Sequence, residues 1–324
     1  MGAISQSIGL FGVTGELGRA FFDALEEQAA FTGRLRLFAS ECSGEETRVY
    51  RDKPLAVEVA DTADFSDLNE AILAVPAEVA DDLASRLLAA GVRVWDASGH
   101  LRAHPQAVAL AEAGPDSLLI VLDDPLVTLF APLAQALDAV SPLARFEATV
   151  LAPVSIKGQA GVRELARQAG DLLNGRGVST EAWPQQVAFN VLAADGNLDA
   201  QGQTTRERRV AQALGRRLPR SRVLLRQLVV PVFYGAVSEL RWRHDAAVER
   251  AAVVAAVKAL PGVKLHDKGD AAKLPSPIGQ GVSSDVAWLS RLQLDAGEGA
   301  ATLLADPLRA GLVQPLLASL MRQG

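Results

Sequence analysis

Gly12-Val13-Thr14-Gly15-Glu16-Leu17-Gly18 decides the fold of the first half of this chain. It follows the apolar run Ser7–Phe11 and leads into Leu17, Ala20, Phe21 and Leu25, apolar residues at helical spacing. Three glycines between a strand and a helix let backbone N–H groups and the helix N-terminus approach a dinucleotide pyrophosphate with no side chain in the way. The spacing is G-x-x-G-x-x-G, a variant of the usual dinucleotide fingerprint. The same residues also suit a tight turn that needs glycine for its own geometry.

Beyond this turn, strand-like runs recur at Leu35–Ala39, Leu55–Val59, Glu70–Val75, Val92–Trp95 and Leu118–Leu122, with a helix pattern at Ala77–Ala90 and a turn-rich stretch around Gly99–Gly114. Strands alternating with helices predict an α/β fold, a doubly wound parallel sheet spanning residues 1–140. After that the candidate strands lengthen: Phe146–Val154, Gln186–Leu192, Val223–Phe233, Val237–Arg243, Asp285–Asp295 and Gly299–Ala305. Helices fit Ala160–Leu173, Thr205–Leu218, Ala246–Ala259 and Leu308–Leu320, the last with a kink at Pro315. Residues 141–307 therefore read as an α+β domain with a mixed or antiparallel sheet, and the helix near 308–320 returns to the first domain. Val223–Phe233 and Val237–Arg243 look apolar on both faces, which predicts a sheet covered by a second copy.

A chain of 324 residues is long enough for two such domains, and 49% hydrophobic with 22% charged residues excludes wholesale disorder. The single cysteine, Cys42, rules out an internal disulfide and suits a reducing cytoplasm. Met1–Phe11 does not read as a signal peptide, position six lacks the hydroxyl residue that myristoylation prefers, and Asp123 and Asp124 end the apolar run at Ser117–Leu122 far short of a membrane span. Arginines crowd one segment, Arg206, Arg208, Arg209, Arg216, Arg217, Arg220, Arg222 and Arg226. A net charge of -6 and the lack of interleaved aromatics argue for a solvated helix face or a partner-chain contact there, not for nucleic acid. His100, His104, His244 and His266 form no metal constellation, and no G-x-S-x-G elbow occurs.

The glycine turn resembles the G-A-T-G-x-V-G of aspartate-semialdehyde dehydrogenases, and Ala39-Ser40-Glu41-Cys42-Ser43-Gly44 their A-S-x-R-S-A-G. Asp96-Ala97-Ser98-Gly99-His100-Leu101-Arg102 is similar to D-N-S-S-A-F-R, and the run from Val154 to Leu165 to V-S-G-A-G-x-x-G-V-x-E-L. Phe189-Asn190 matches F-N, Thr205 to Arg209 T-x-E-E-x-K, Pro231 to Gly235 P-V-x-x-G-H, and Asp306 to Gly311 D-N-L-R-x-G. The resemblance implies a Rossmann domain followed by a dimerisation domain, and a homodimer. For the cofactor it implies contacts from Gly12, Val13, Thr14, Gly15, Glu16, Leu17, Ser40, Glu41 and Ser155. Glu41 can accept from a ribose 2′-OH, or belongs only to a polar loop; the family's 2′-phosphate arginine is replaced by Cys42, which implies no preference for NADP over NAD.

The resemblance also implies what is lost. The family reaction, NADP-dependent reductive dephosphorylation of aspartyl phosphate, needs a cysteine thiolate and a histidine proton carrier. Asp124 stands at the nucleophile position, Ala152 at the substrate-orienting glutamine, Val229 at the substrate arginine and Ala236 at the histidine. Pro307 replaces the nicotinamide-side asparagine. Arg102, Glu207 and Arg209 survive as positions for an anionic small molecule, or are surface charges. The pattern is similar to the Usg-type branch, a non-catalytic relative with weak or lost NAD or NADP affinity and no metal. An oxidoreductase using another nucleophile and a partner for an active dehydrogenase stay open beside it.

Overall fold

The computed structural model describes residues 6–40, 47–266, 269–282 and 284–323. The chain divides into two compact units, one reaching Asp124 and taking in the segment from Leu312 onward, the other Pro125–Gly311.

The first unit runs β1 (Ile8–Phe11), α1 (Glu16–Glu27), β2 (Leu35–Ala39), β3 (Thr47–Tyr50), β4 (Lys53–Val59), β5 (Glu70–Leu73), α2 (Ala77–Ala89), β6 (Arg93–Asp96), β7 (Ala107–Ala109) and β8 (Leu119–Val121). Its sheet order is β3-β4-β2-β1-β5-β6-β8-β7, parallel except where β3 meets β4. The Rossmann-type sheet expected from the alternation is therefore present. Strand β1 is flanked by β2 and β5, so chain order reverses beside it, and in open parallel sheets the crevice at such a reversal is where ligands bind. All four residues of β1 and of β5 are buried, the run pattern of a strand covered on both faces.

Glu70, at the start of β5, is 2% exposed; its carboxylate accepts from the Trp95 Nε1–H at 2.7 Å and from Arg93 at 3.2 Å. Burial pushes its pKa above the ordinary 4.5, outweighing those bonds. The folded state then holds the proton more tightly than the unfolded chain, so this group's contribution is complete below pH 4.5 and is lost as pH rises through the folded pKa. The unfolding free energy of wild type relative to Glu70→Gln is thus expected to fall between pH 4.5 and neutrality in urea titrations. A rise over that window would show that the two bonds outweigh burial.

The second unit contains α3 (Pro125–Val140), β9 (Leu143–Ala152), α4 (Gly158–Leu173), α5 (Thr205–Arg217), β10 (Arg222–Val229), β11 (Ala236–His244), α6 (Arg250–Lys258), β12 (Val263–His266), β13 (Ala287–Asp295) and β14 (Glu298–Ala305). These strands form the mixed sheet β10-β9-β11-β14-β13-β12. Side chains of α3, α5 and α6 share one core with the inward side of the sheet, including Phe130, Phe146, Leu240, Trp242 and Leu289. Trp242 lies opposite Gly299 because a Cβ there would stand 2.1 Å from the indole ring.

Several expectations need correction. Residues 125–140 belong with the second unit, since Leu126, Phe130, Leu133 and Leu137 pack into its core. Gln186–Leu192 is no strand beyond a single bridge from Leu192 to Val229, because the Gln168 Oε1 takes the N–H groups of Val187 and Ala188. The final helix is not a single α-helix over 308–320: a π-helical turn at Arg309–Val313 runs directly into α7 (Gln314–Gln323), so the irregularity immediately precedes Pro315, and α7 counts with the first unit. The second sheet is not apolar on both faces either. Away from the helices, Arg226, Thr149 and Glu239 lie abreast, as do Glu147 and Arg241.

Candidate functional site

In the first unit the glycines separate into two kinds. Gly12 leaves β1 at φ 86, and a Cβ on it would lie 2.3 Å from the Ala74 carbonyl oxygen. A Cβ on Gly18 would lie 2.1 Å from the Gly12 oxygen. Both are required by the packing of helix against strand. Gly15 is different. It is exposed, caps α1 at φ -76 and ψ 166, and a Cβ would meet nothing closer than the Gly12 oxygen at 3.4 Å. Any side chain suits that backbone, so the fold does not explain this glycine. Around it Val13 is buried, Thr14 and Leu17 are half-buried, and Glu16 opens the helix. Ser40 is exposed just past β2, and Glu41 and Cys42 lie outside the described residues.

At the end of β6, Asp96 is fully buried. One carboxylate oxygen accepts from Ser98 N at 3.0 Å, Ser98 Oγ at 2.6 Å and Gly99 N at 3.1 Å, and the other from Leu101 N at 2.8 Å. These bonds shape the loop that carries Arg102, a positioning role that the expected site did not include. Asp followed by Ser and Gly is the turn chemistry that signals it. Arg102 donates to the Leu122 carbonyl at 2.7 Å and pairs with Asp123 at 3.2 Å, so an anion there competes with an internal carboxylate. Asp124 is half-buried and directly precedes α3, whose first residue is Pro125. Asp before Pro at a helix start is the ordinary N-cap and N1 pair.

In the second unit the fold brings three of the marked positions together. Val229 pairs with Ala152, and Val237 pairs with Leu151, which sets Ala236 beside Ala152. Ala236 pairs in turn with Ala305. One row across the sheet therefore reads Val229, Ala152, Ala236, Ala305, with exposures of 0%, 1%, 3% and 2%. A one-residue slip of alignment brings in Leu228, Val230, Leu151, Pro153, Gly235 or Val237, none of which carries a polar side chain. Val229 belongs to a small cluster with Val154, Leu165, Trp183, Val187 and Leu192. Nearby, Ser155 is half-buried, its N–H bonded to the Phe233 carbonyl at 3.3 Å.

Glu207 is 2% exposed and serves the fold: one oxygen accepts from Thr204 N at 2.7 Å in a capping box, the other from Gln227 N at 2.8 Å on β10. Arg209, two residues on, is exposed on α5. Among the described residues no group of His, Cys, Asp and Glu is arranged to hold a metal, and no helix is long and apolar enough to cross a membrane.

Residues 7–121 match the family model for the semialdehyde dehydrogenase NAD binding domain, and 131–309 that for the semialdehyde dehydrogenase dimerisation domain. The chain belongs to the semialdehyde dehydrogenase family. It is similar to the USG-1 protein homolog of Azotobacter vinelandii, 32% identical over 317 residues covering 94% of this chain and 93% of that one. It is 25% identical to the aspartate-semialdehyde dehydrogenase of Legionella pneumophila over 94% of this chain and 92% of that one. Among solved structures, a probable aspartate-semialdehyde dehydrogenase from Pseudomonas aeruginosa superposes with a TM-score of 0.87 at 28% identity over 97% of both chains. The division at Asp124 and Pro125 falls between the two stretches that match the semialdehyde dehydrogenase models. Gly15, which the fold leaves unexplained, lies inside the NAD-binding match, and the apolar row inside the dimerisation match.

Proposed function

We propose that this member of the semialdehyde dehydrogenase family is a cytoplasmic binding or regulatory homodimer that has lost the family's acyl chemistry. The observation that carries the reading is the buried row Val229, Ala152, Ala236, Ala305. Acyl transfer with reduction needs a cation for the substrate carboxylate and a base near neutral pKa, and this row supplies only methyl and isopropyl groups. Asp124 does not restore the chemistry. A carboxylate attacking an acyl phosphate expels phosphate and leaves a mixed anhydride, not the thioester from which the family reaction proceeds.

The dinucleotide side is better preserved. The first turn of α1 with Gly15 at its cap fits a pyrophosphate, and in the first unit Gly12, Val13, Thr14, Gly15, Leu17 and Ser40 would hold the cofactor. Bound NAD or NADP would supply a hydride carrier. Glu16, at the first helical position, satisfies the helix dipole with its own charge and weakens the attraction for phosphate. In the first unit Arg102 would serve an anionic small molecule; in the second, Arg209 is a separate candidate, with Glu207 setting the end of the helix that carries it.

The test is a turnover assay with aspartate semialdehyde and NADP, paired with calorimetric titration of NAD and NADP. The expected rate is far below about 1 per second, for wild type and for Asp124→Cys alike, because triad-like units are strongly non-additive. Any dinucleotide binding should lack a tenfold preference, about 1.4 kcal/mol, for NADP. Turnover near ordinary enzyme rates would instead establish an oxidoreductase with another nucleophile.

A further inference from the structure

The outward side of the second sheet carries a charge excess that the chain does not neutralise. Arg222, Arg145 and Arg243 stand abreast on three neighbouring strands, with Arg222 and Arg243 each paired in register with Arg145. Like charges directly opposite one another across strands are unfavourable. Glu298, 3.5 Å from Arg145 and 3.6 Å from Arg243, and Glu147, 3.5 Å from Arg145, relieve part of this. Arg222 and Arg241 are exposed on the same side; Arg241 has Glu147 opposite it in register, but neither arginine forms an ion pair with a carboxylate among the described residues. This local excess of cations sits on a protein whose net charge is -6. The same side carries a half-buried apolar row, Leu228, Leu151 and Val237, abreast on three strands, next to Leu304, which the chain itself already buries.

The occupant of this face, on the homodimer reading above, is a second copy, because the stretch that contains it matches a dimerisation domain. A two-fold contact uses the same patch on both copies. The apolar row finds its match, but each copy also brings unpaired guanidinium groups to the other. Burying a guanidinium without a counter-charge costs several kcal/mol. Arginine is the side chain best shaped to hold a planar or tetrahedral oxyanion through two parallel hydrogen bonds.

We propose that the two copies associate across this face with multivalent oxyanions seated on Arg222 and Arg241. Assembly is then linked to anion concentration, and the anion is part of the interface.

Sedimentation equilibrium on the full chain at pH 7, with inorganic phosphate against chloride at one matched ionic strength, separates site binding from screening. The dimer dissociation constant is expected to fall about tenfold in phosphate. The double variant Arg222→Gln with Arg241→Gln should dimerise equally in both salts, and circular dichroism should show it folded, since both side chains are exposed. A wild-type dimer equally tight in phosphate and chloride would overturn the anion proposal and leave the homodimer standing. So would a phosphate response that persists in the double variant. A monomer in both salts would reject the homodimer reading itself.

Discussion

Val229→Arg, the substitution that on the proposed reading puts back a substrate-binding cation, is expected to unfold the second unit instead of equipping it. The Val229 side chain is 0% exposed and packs among Val154, Leu165, Val187 and Leu192. No carboxylate faces it across the row, where the neighbours are Ala152, Ala236 and Ala305. A guanidinium placed there loses its hydration and gains no partner, a loss of about 4 kcal/mol or more in unfolding free energy. Guanidinium or urea denaturation followed by circular dichroism measures it, with Val229→Ala as the cavity control at about 2 kcal/mol. If Val229→Arg cost less than about 1 kcal/mol, the row would be open to water or to a ligand, and the argument that its chemistry has been replaced by core would fail.

The glycine turn gives the second large effect, and its value lies in a contrast. Gly18→Ala is expected to destabilise the first unit by about 4 kcal/mol or more, because its Cβ would press to 2.1 Å from the Gly12 oxygen and 2.7 Å from the Gly12 carbonyl carbon, both backbone atoms. Gly15→Ser should leave thermal stability unchanged or slightly raised: its backbone is in the extended region, its nearest neighbour is at 3.4 Å, and serine is a preferred N-cap. Yet the same substitution puts a side chain where a pyrophosphate must come close to the helix N-terminus. Dinucleotide affinity is therefore expected to drop at least tenfold with no change in melting temperature. Affinity unaltered in a fully folded Gly15→Ser would mean that this turn is no cofactor cradle, and its middle glycine would lose its explanation.

Much of this was legible in the sequence, and the reasons are local. The strands Leu35–Ala39 and Glu70–Leu73 are short, mainly apolar runs, with Arg36 inside the first and Glu70 opening the second, the composition of a strand buried on both sides. Helix α5 announces itself through Thr204 and Glu207 at capping-box spacing. The proposed losses at Asp124, Ala152, Val229 and Ala236 rest on the sequence, because a residue type at a given spacing is visible without coordinates. Helix α3 was not apparent from periodicity: it is apolar around most of its circumference and contains Pro132, so neither the amphipathic stripe nor an unbroken pattern marks it. Nor was the absence of a strand at Gln186–Leu192, where the deciding partner is Gln168 on a different element.

The sequence by itself determined most of the order of elements and the glycine-rich turn between β1 and α1, since each depends on residue type and spacing along the chain. Tertiary structure alone decided that Val229, Ala152 and Ala236 form one buried row, because cross-strand register joins residues far apart in sequence. It also decided that Gly12 and Gly18 are held by backbone contacts while Gly15 is not, because the space around a missing side chain is a property of its neighbours.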